Sequence, residues 1–165
     1  MAPQLNKKSI TMDYQILQDT DIQDPRAAWD HIGVMYCEHN THTLGDKDAE
    51  HPKNVDHVCA LPLYLYDHSG ITMNTTGFSC PWDSGQVGAI YIPKVDADEW
   101  LKPDGTYDMP AMEKILKAEV TEYDQFLTGD VWGYVIENDE GEEVESCWGF
   151  YGESYCESMA NEACI

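Results

Sequence analysis

Cysteine, histidine and carboxylate side chains are spread unevenly along this chain, and three groupings have the chemistry to act. The first is Cys37-x-His39-x-x-His42, followed by His51 and by His57-x-Cys59, around one polar stretch. Zinc accepts Cys and His as a tetrahedral set, so four of these side chains would suffice, with Cys37, His39, His42, His57 and Cys59 the candidates. The spacing matches no zinc ribbon or finger. In the plainer reading Cys37 and Cys59 are small buried hydrophobes and the histidines are solvated loop residues. No metal and no other cofactor is therefore assigned.

The second grouping lies in Asp67-His68-Ser69-Gly70 and Ser79-Cys80-Pro81-Trp82-Asp83-Ser84-Gly85. A thiol, an imidazole and a carboxylate are the parts of a nucleophilic hydrolase, in which the base deprotonates Cys and the acid orients the base. Asp67 and His68 are adjacent and would point to opposite sides of a strand, which leaves His68, Cys80 and Asp83 as the possible set. An active thiol needs electropositive surroundings, and this chain is strongly acidic. The competing reading has Asp67, Ser69 and Asp83 holding turns through local backbone bonds. The balance is against an enzyme.

The third grouping is the acidic surface. The chain has 165 residues, with 31 Asp and Glu against 9 Lys and Arg, a net charge of −22. Residues 1–95 hold 12 acids and 6 bases, whereas residues 96–165 hold 19 acids and 3 bases. Glu137, Asp139, Glu140, Glu142, Glu143 and Glu145 crowd one predicted hairpin, Asp96, Asp98 and Glu99 flank a predicted helix, and Glu119, Glu122 and Asp124 ride on it. Repulsion among like charges destabilises a compact state, so such an excess invites an explanation beyond solubility. Carboxylates on a rigid body can imitate a phosphate array and occupy a basic nucleic-acid channel. A solvated face that keeps the protein soluble, or adaptation to high salt, are the competing accounts. Calcium is disfavoured, because Asn138-Asp139-Glu140-Gly141 does not follow the EF-hand order.

These groups need elements to hold them. Thr11–Leu17 alternates like a strand, Ile32–Cys37 reads as a second, and Glu38–Asp56 as a long polar loop of the kind that is often functional. Cys59–Tyr66 is an apolar run with Pro62 as a discordant note, and Gly85–Ile92 is another strand. Asp24-Pro25 opens a short helical turn. Asp108 caps a helix with Pro110 in its first turn, and Met112, Ile115, Leu116, Val120, Tyr123 and Leu127 form its apolar stripe before Gly129 stops it. Val131–Ile136 and Val144–Phe150 flank a hairpin turn, and Ser154–Ala163 is a weaker helix. The expectation is one α+β domain over 1–165 with a mainly antiparallel sheet. Strands are placed near 12–17, 32–37, 60–66, 86–92, 131–136 and 144–149, with the principal helix at about 110–127. Leu63, Leu65, Ile90, Ile115, Leu116, Val120, Val135 and Trp148 should be buried.

Composition excludes several classes. With 42% apolar and 11% aromatic residues the chain has the material for a core, which argues against disorder. So negative a charge disfavours direct binding to nucleic acid or to an anionic membrane. The segment MAPQLNKKSITMDYQ has no apolar stretch and does not read as a signal peptide. No run is long enough to span a bilayer, so the six cysteines are expected as thiols in a reducing cytosol.

The segments DPRAAWDHIGVMYC, LPLYLYDHSGITMNTTGFSCPWDSGQVGAIYI and EYDQFLTGDVWGYVIENDEGEEVESCWGFYG resemble a family of uncharacterised proteins of bacteriophages and other mobile elements. They cover about half of the chain, and the Glu38–Asp56 loop resembles that family less well. The resemblance transfers no catalytic or ligand-binding residue. It implies a context, a small protein acting in the host cytoplasm on host or phage machinery. Together with the charge, it leads to an expected function: a non-enzymatic inhibitor of a basic, nucleic-acid-handling host protein of the restriction, CRISPR or transcription machinery.

Overall fold

A computed structural model describes residues 12–165. The segment read as lacking a signal peptide lies almost wholly outside the described residues, as does Thr11 of the first predicted strand. The chain is α+β, with antiparallel sheets and one principal helix, and it divides into two compact units. Residues 23–128 form the larger; the smaller joins the N-terminal segment through residue 22 to residues 129–165.

The larger unit is a four-stranded sheet with a long helix on it. Strands β2 (Val34–Cys37), β3 (His57–Asp67), β4 (Ile71–Asn74) and β5 (Ser84–Pro93) take the order β2-β5-β3-β4, antiparallel throughout. The principal helix, α2 (Met109–Thr128), buries Met112, Leu116, Val120 and Tyr123, one turn apart in succession. These meet Leu63, Leu65, Met73 and Ile90 of the sheet in one core, whereas Ile115, expected to be buried, is only half-buried and is not part of it. The helix starts and stops where its local chemistry dictates. Asp108 Oδ1 accepts the Ala111 N–H at 3.3 Å, and Gly129 takes the left-handed φ of 76° that ends it.

Pro62 sits inside β3 without disrupting it. β4 pairs with β3 only over Tyr64–Asp67, so at Pro62 the strand has a partner on the β5 side alone. β2 approaches β5 very closely at Gly88. A Cβ on that residue would stand 1.8 Å from the Tyr36 carbonyl oxygen, so only glycine permits the pairing. The predicted polar loop 38–56 is irregular, apart from a short 3₁₀ turn at Pro52–Asn54. The expected turn after Asp24 is a one-turn helix, α1 (Pro25–Ala28).

The smaller unit is a three-stranded antiparallel sheet in the order β1-β6-β7, comprising β1 (Asp13–Gln18), β6 (Val131–Glu137) and β7 (Glu143–Tyr151). Helix α3 (Glu153–Ala163) covers one face, where Tyr134 and Ile136 are buried with Cys156 and Ala160. Phe150 stacks on Tyr134 with ring centroids 5.6 Å apart. Two expected core residues do not belong to this core. With Tyr134 and Ile136 facing α3, the two-residue period turns Val135 to the opposite face, where it is half-buried. Register shifts in the β6–β7 pair then lay Trp148 over Gly133, leaving it 45% exposed.

Candidate functional site

Among the described residues, the most heavily bonded charged group is the single arginine of the chain. Arg26 lies in α1, whose cap Asp24 accepts the Arg26 N–H at 2.8 Å, and its guanidinium is buried, with 1% of the side chain exposed. Nε and Nη2 grip the two oxygens of Asp46 at 2.6 and 2.7 Å, Nη1 donates to Glu119 at 2.9 Å, and Nη2 also donates to the Gly33 carbonyl at 2.6 Å. Glu119 in turn accepts the Gly33 N–H, and Asp46 accepts that of Met35. Burial works to lower the arginine's pKa, but the bonds and charges of Asp46 and Glu119 outweigh it and hold the pKa above its ordinary value. This network ties the polar loop to β2 and α2. Gly45 N–H adds a further tie by donating to the Tyr123 hydroxyl at 2.9 Å.

The network corrects part of the sequence reading. Glu119, Glu122 and Asp124 were candidates for a partner-binding surface, yet each is engaged inside the larger unit. Glu119 holds Arg26, Glu122 Oε1 lies 3.0 Å from His31 Nε2, and Asp124 Oδ1 accepts the Thr72 hydroxyl at 2.6 Å and the Met73 N–H at 2.7 Å. Acids on a helix read as a solvated run, but here they fasten α2 to β2 and β4.

The metal candidates do not converge. Cys59 is in the core, and burial raises its thiol pKa. Cys37 is pushed up to about 12, chiefly by burial and then by Asp46, so its thiol stays protonated. His39 Nδ1 accepts the Thr41 and His42 N–H groups, His42 Nε2 lies 3.0 Å from Asp67 Oδ2, and His57 Nδ1 lies 2.9 Å from the Val55 carbonyl. Among the described residues no three His, Cys, Asp or Glu side chains are placed to share an ion.

Half of the hydrolase arrangement is assembled. His68 Nδ1 stands 3.2 Å from Asp83 Oδ2, while Asp67 turns the other way to His42, as their adjacency on a strand end requires. Cys80 is half-buried; its carbonyl accepts the Ser84 hydroxyl, and among the described residues no hydrogen bond joins its sulfur to His68. Nearby, Glu38, His39, Asp67, Trp82, Asp83 and Gln86 line a polar hollow of about 530 Å³. The arrangement orients an imidazole on an open surface, and among the described residues no thiol is hydrogen-bonded to it.

The hairpin acids are where the sequence placed them. Asp139, Glu140, Glu142, Glu143 and Glu145 are exposed and Glu137 is half-buried. The turn beneath them is stiff: Asn138 Oδ1 accepts the N–H groups of Glu140 and Glu142 at 3.0 Å, its Nδ2 donates to Glu142 at 3.1 Å, and Gly141 takes a φ of 77°. Tyr134 donates its hydroxyl to Glu145 at 3.1 Å. Residues 12–22 and 129–165 contain 13 acids and no Lys or Arg. Among the described residues, every ion pair lies in the other unit. Among the described residues of its own unit, the hairpin therefore has no Lys or Arg to compensate its negative field.

No protein family, no curated protein and no solved structure matches this chain. Among the described residues no helix is long and apolar enough to cross a membrane.

Proposed function

We propose that this chain is a non-enzymatic acidic phage protein that binds a basic, nucleic-acid-handling host protein through its β6–β7 hairpin. The partner belongs to the restriction, CRISPR or transcription machinery of the host cytoplasm, and the hairpin acts as a DNA mimic with an anti-defence role. The observation that carries this reading is the row of carboxylates on a turn fixed by Asn138, with no Lys or Arg among the described residues of its unit. A preorganised charge array loses less entropy on binding than a floppy acidic tail, and clustered like charges steer a partner of opposite charge. With Glu119, Glu122 and Asp124 engaged elsewhere, the acidic surface contracts to residues 137–145. The phage context is drawn from the resemblance of the three long motifs.

Affinity capture of host proteins on the full chain, repeated across a salt series, tests the reading. A basic nucleic-acid-binding partner should be retained at low salt and lost as salt rises, because screening acts within about 8–10 Å near physiological ionic strength. Reversing Asp139, Glu140, Glu142 and Glu143 to lysine should slow its capture and leave the fold intact. Capture indifferent to salt and to those reversals would overturn the proposal. The His68–Asp83 pair favours one alternative, a hydrolase using Cys80. Alkylation of Cys80 far faster than that of a free cysteine would support it.

A further inference from the structure

The outer strand of the smaller unit has a property that charge alone does not explain. Among the described residues β7 is an edge strand that pairs with β6 alone, and its residues 143–149 are all exposed. Folded proteins protect edges of this length with charges, bulges or a covering element, because an unpaired row of N–H and C=O groups is a template for another strand. Here protection is partial. Glu143 and Glu145 carry like charge and oppose pairing of β7 with a second copy of itself, and Gly149, with a φ of 84°, bends the far end. Between them the edge still offers Val144, 51% exposed, and Trp148. A guarded edge that retains a half-exposed tryptophan is selective rather than closed.

The register tells what it selects. Glu145 and Cys147 stand opposite Ile136 and Tyr134, so they share the face covered by α3. Ser146 stands opposite Val135, and Trp148 lies against Gly133, so these two share the other face. A strand added outside β7 would set its own side chains against these in alternation: a cation beside Glu145 on one face, an apolar or aromatic group beside Trp148 on the other. We infer that β7 takes an extended segment of its partner as an added strand, and that this segment alternates basic with apolar residues. Backbone bonds supply affinity, the carboxylates and Trp148 choose the sequence, and the Glu143–Glu145 charge rejects a second copy. The inference rests on the hairpin reading above and sharpens it from a charge field to a peptide pattern.

The test uses the full chain and three synthetic nine-residue probes. One alternates lysine and valine, one has the same composition in two blocks, and one is the alternating peptide with every second amide N-methylated. Alternating peptide should bind about tenfold or more tightly than either control, because only it presents both the pattern and the backbone donors. Amide hydrogen exchange in residues 143–148 should slow when it binds. E145K should weaken it and should gain affinity for a probe with glutamate in place of lysine, while W148A should weaken the alternating peptide alone. Equal binding of all three peptides would overturn strand addition and leave the charge reading standing. If none binds even at low salt, both fail. Concentration-dependent dimers that protect the same amides without peptide would also overturn it. The N-methylated probe keeps the test decisive should either variant misfold.

Discussion

Replacing Arg26 by methionine removes one buried cation from between two carboxylates, and the structure sets the size of the penalty. Glu119 and Asp46, with side chains 10% and 23% exposed, would lose every side-chain cation they now contact. Deleting one partner of a buried ion pair costs about 3–5 kcal/mol, since the remaining charge stays desolvated. Each carboxylate keeps a backbone donor, Gly33 N–H for Glu119 and Met35 N–H for Asp46, which places the expected cost at the lower end, about 3 kcal/mol. Against a total stability of about 5–15 kcal/mol this is a large fraction. With a urea slope near 2 kcal/mol per molar, the midpoint of the transition of residues 23–128 should fall by about 1.5 M, read by circular dichroism. R26K should recover little, because an ammonium cannot grip both oxygens of Asp46 while reaching Glu119 and Gly33. The triple variant R26M, D46N, E119Q should be more stable than R26M alone, since no charge is left without its partner. A midpoint for R26M within about 0.5 M of the wild type, or a triple variant weaker than the single, would refute the assignment of this network as the tie between loop and helix.

Further outcomes follow from the same geometry. Burial raises Cys37 from 9.0 to about 12 and Tyr123 from 10.0 to about 12, so the folded larger unit binds more protons than the unfolded chain in that interval. Its stability should therefore be intact below pH 9 and decline as pH climbs toward about 12, and C37A should flatten the first part of that decline in alkaline titrations followed by circular dichroism. Substituting G88A should separate β2 from β5, because the new Cβ meets the Tyr36 carbonyl; thermal melting should fall by about 10 °C or more, whereas G105A, with open space around it, is strained only by its φ of 84°. Thiol alkylation followed by mass spectrometry should label Cys147 first and Cys59 and Cys156 last, in the order of their exposure, and early labelling of Cys156 would mean that α3 opens from its sheet.

What was legible in the residues was whatever rests on local chemistry. Helix α2 could be read because its cap, its stripe and its terminating glycine all lie within its own span. The hairpin of β6 and β7 could be read from Asn138 and Gly141. What escaped depends on partners distant in the chain. β4 is only four residues long and is defined by its register with β3, so no period announces it. Glu119 looked like surface because its cation is 93 residues away, although one arginine among so many acids was itself the available signal. Trp148 looked like core because a large aromatic in an alternating strand normally is; the register shift opposite Gly133 cannot be seen in a single strand.

The smaller unit draws its strands from both sides of the larger one. Asp13 pairs with Glu137 and Gln18 with Trp132, so the whole of residues 23–128 must leave the ribosome before β1 meets its neighbour. Synthesis at about 5–20 residues per second leaves β1 waiting for several seconds after the larger unit has all its strands. The order of assembly is thus written into the connectivity. Chains stalled on a C-terminal extension so that residue 128, but not β6, has cleared the exit tunnel should resist protease across 23–128 and be cut freely at Tyr14–Leu17, and that stretch should become protected only once β6 has emerged.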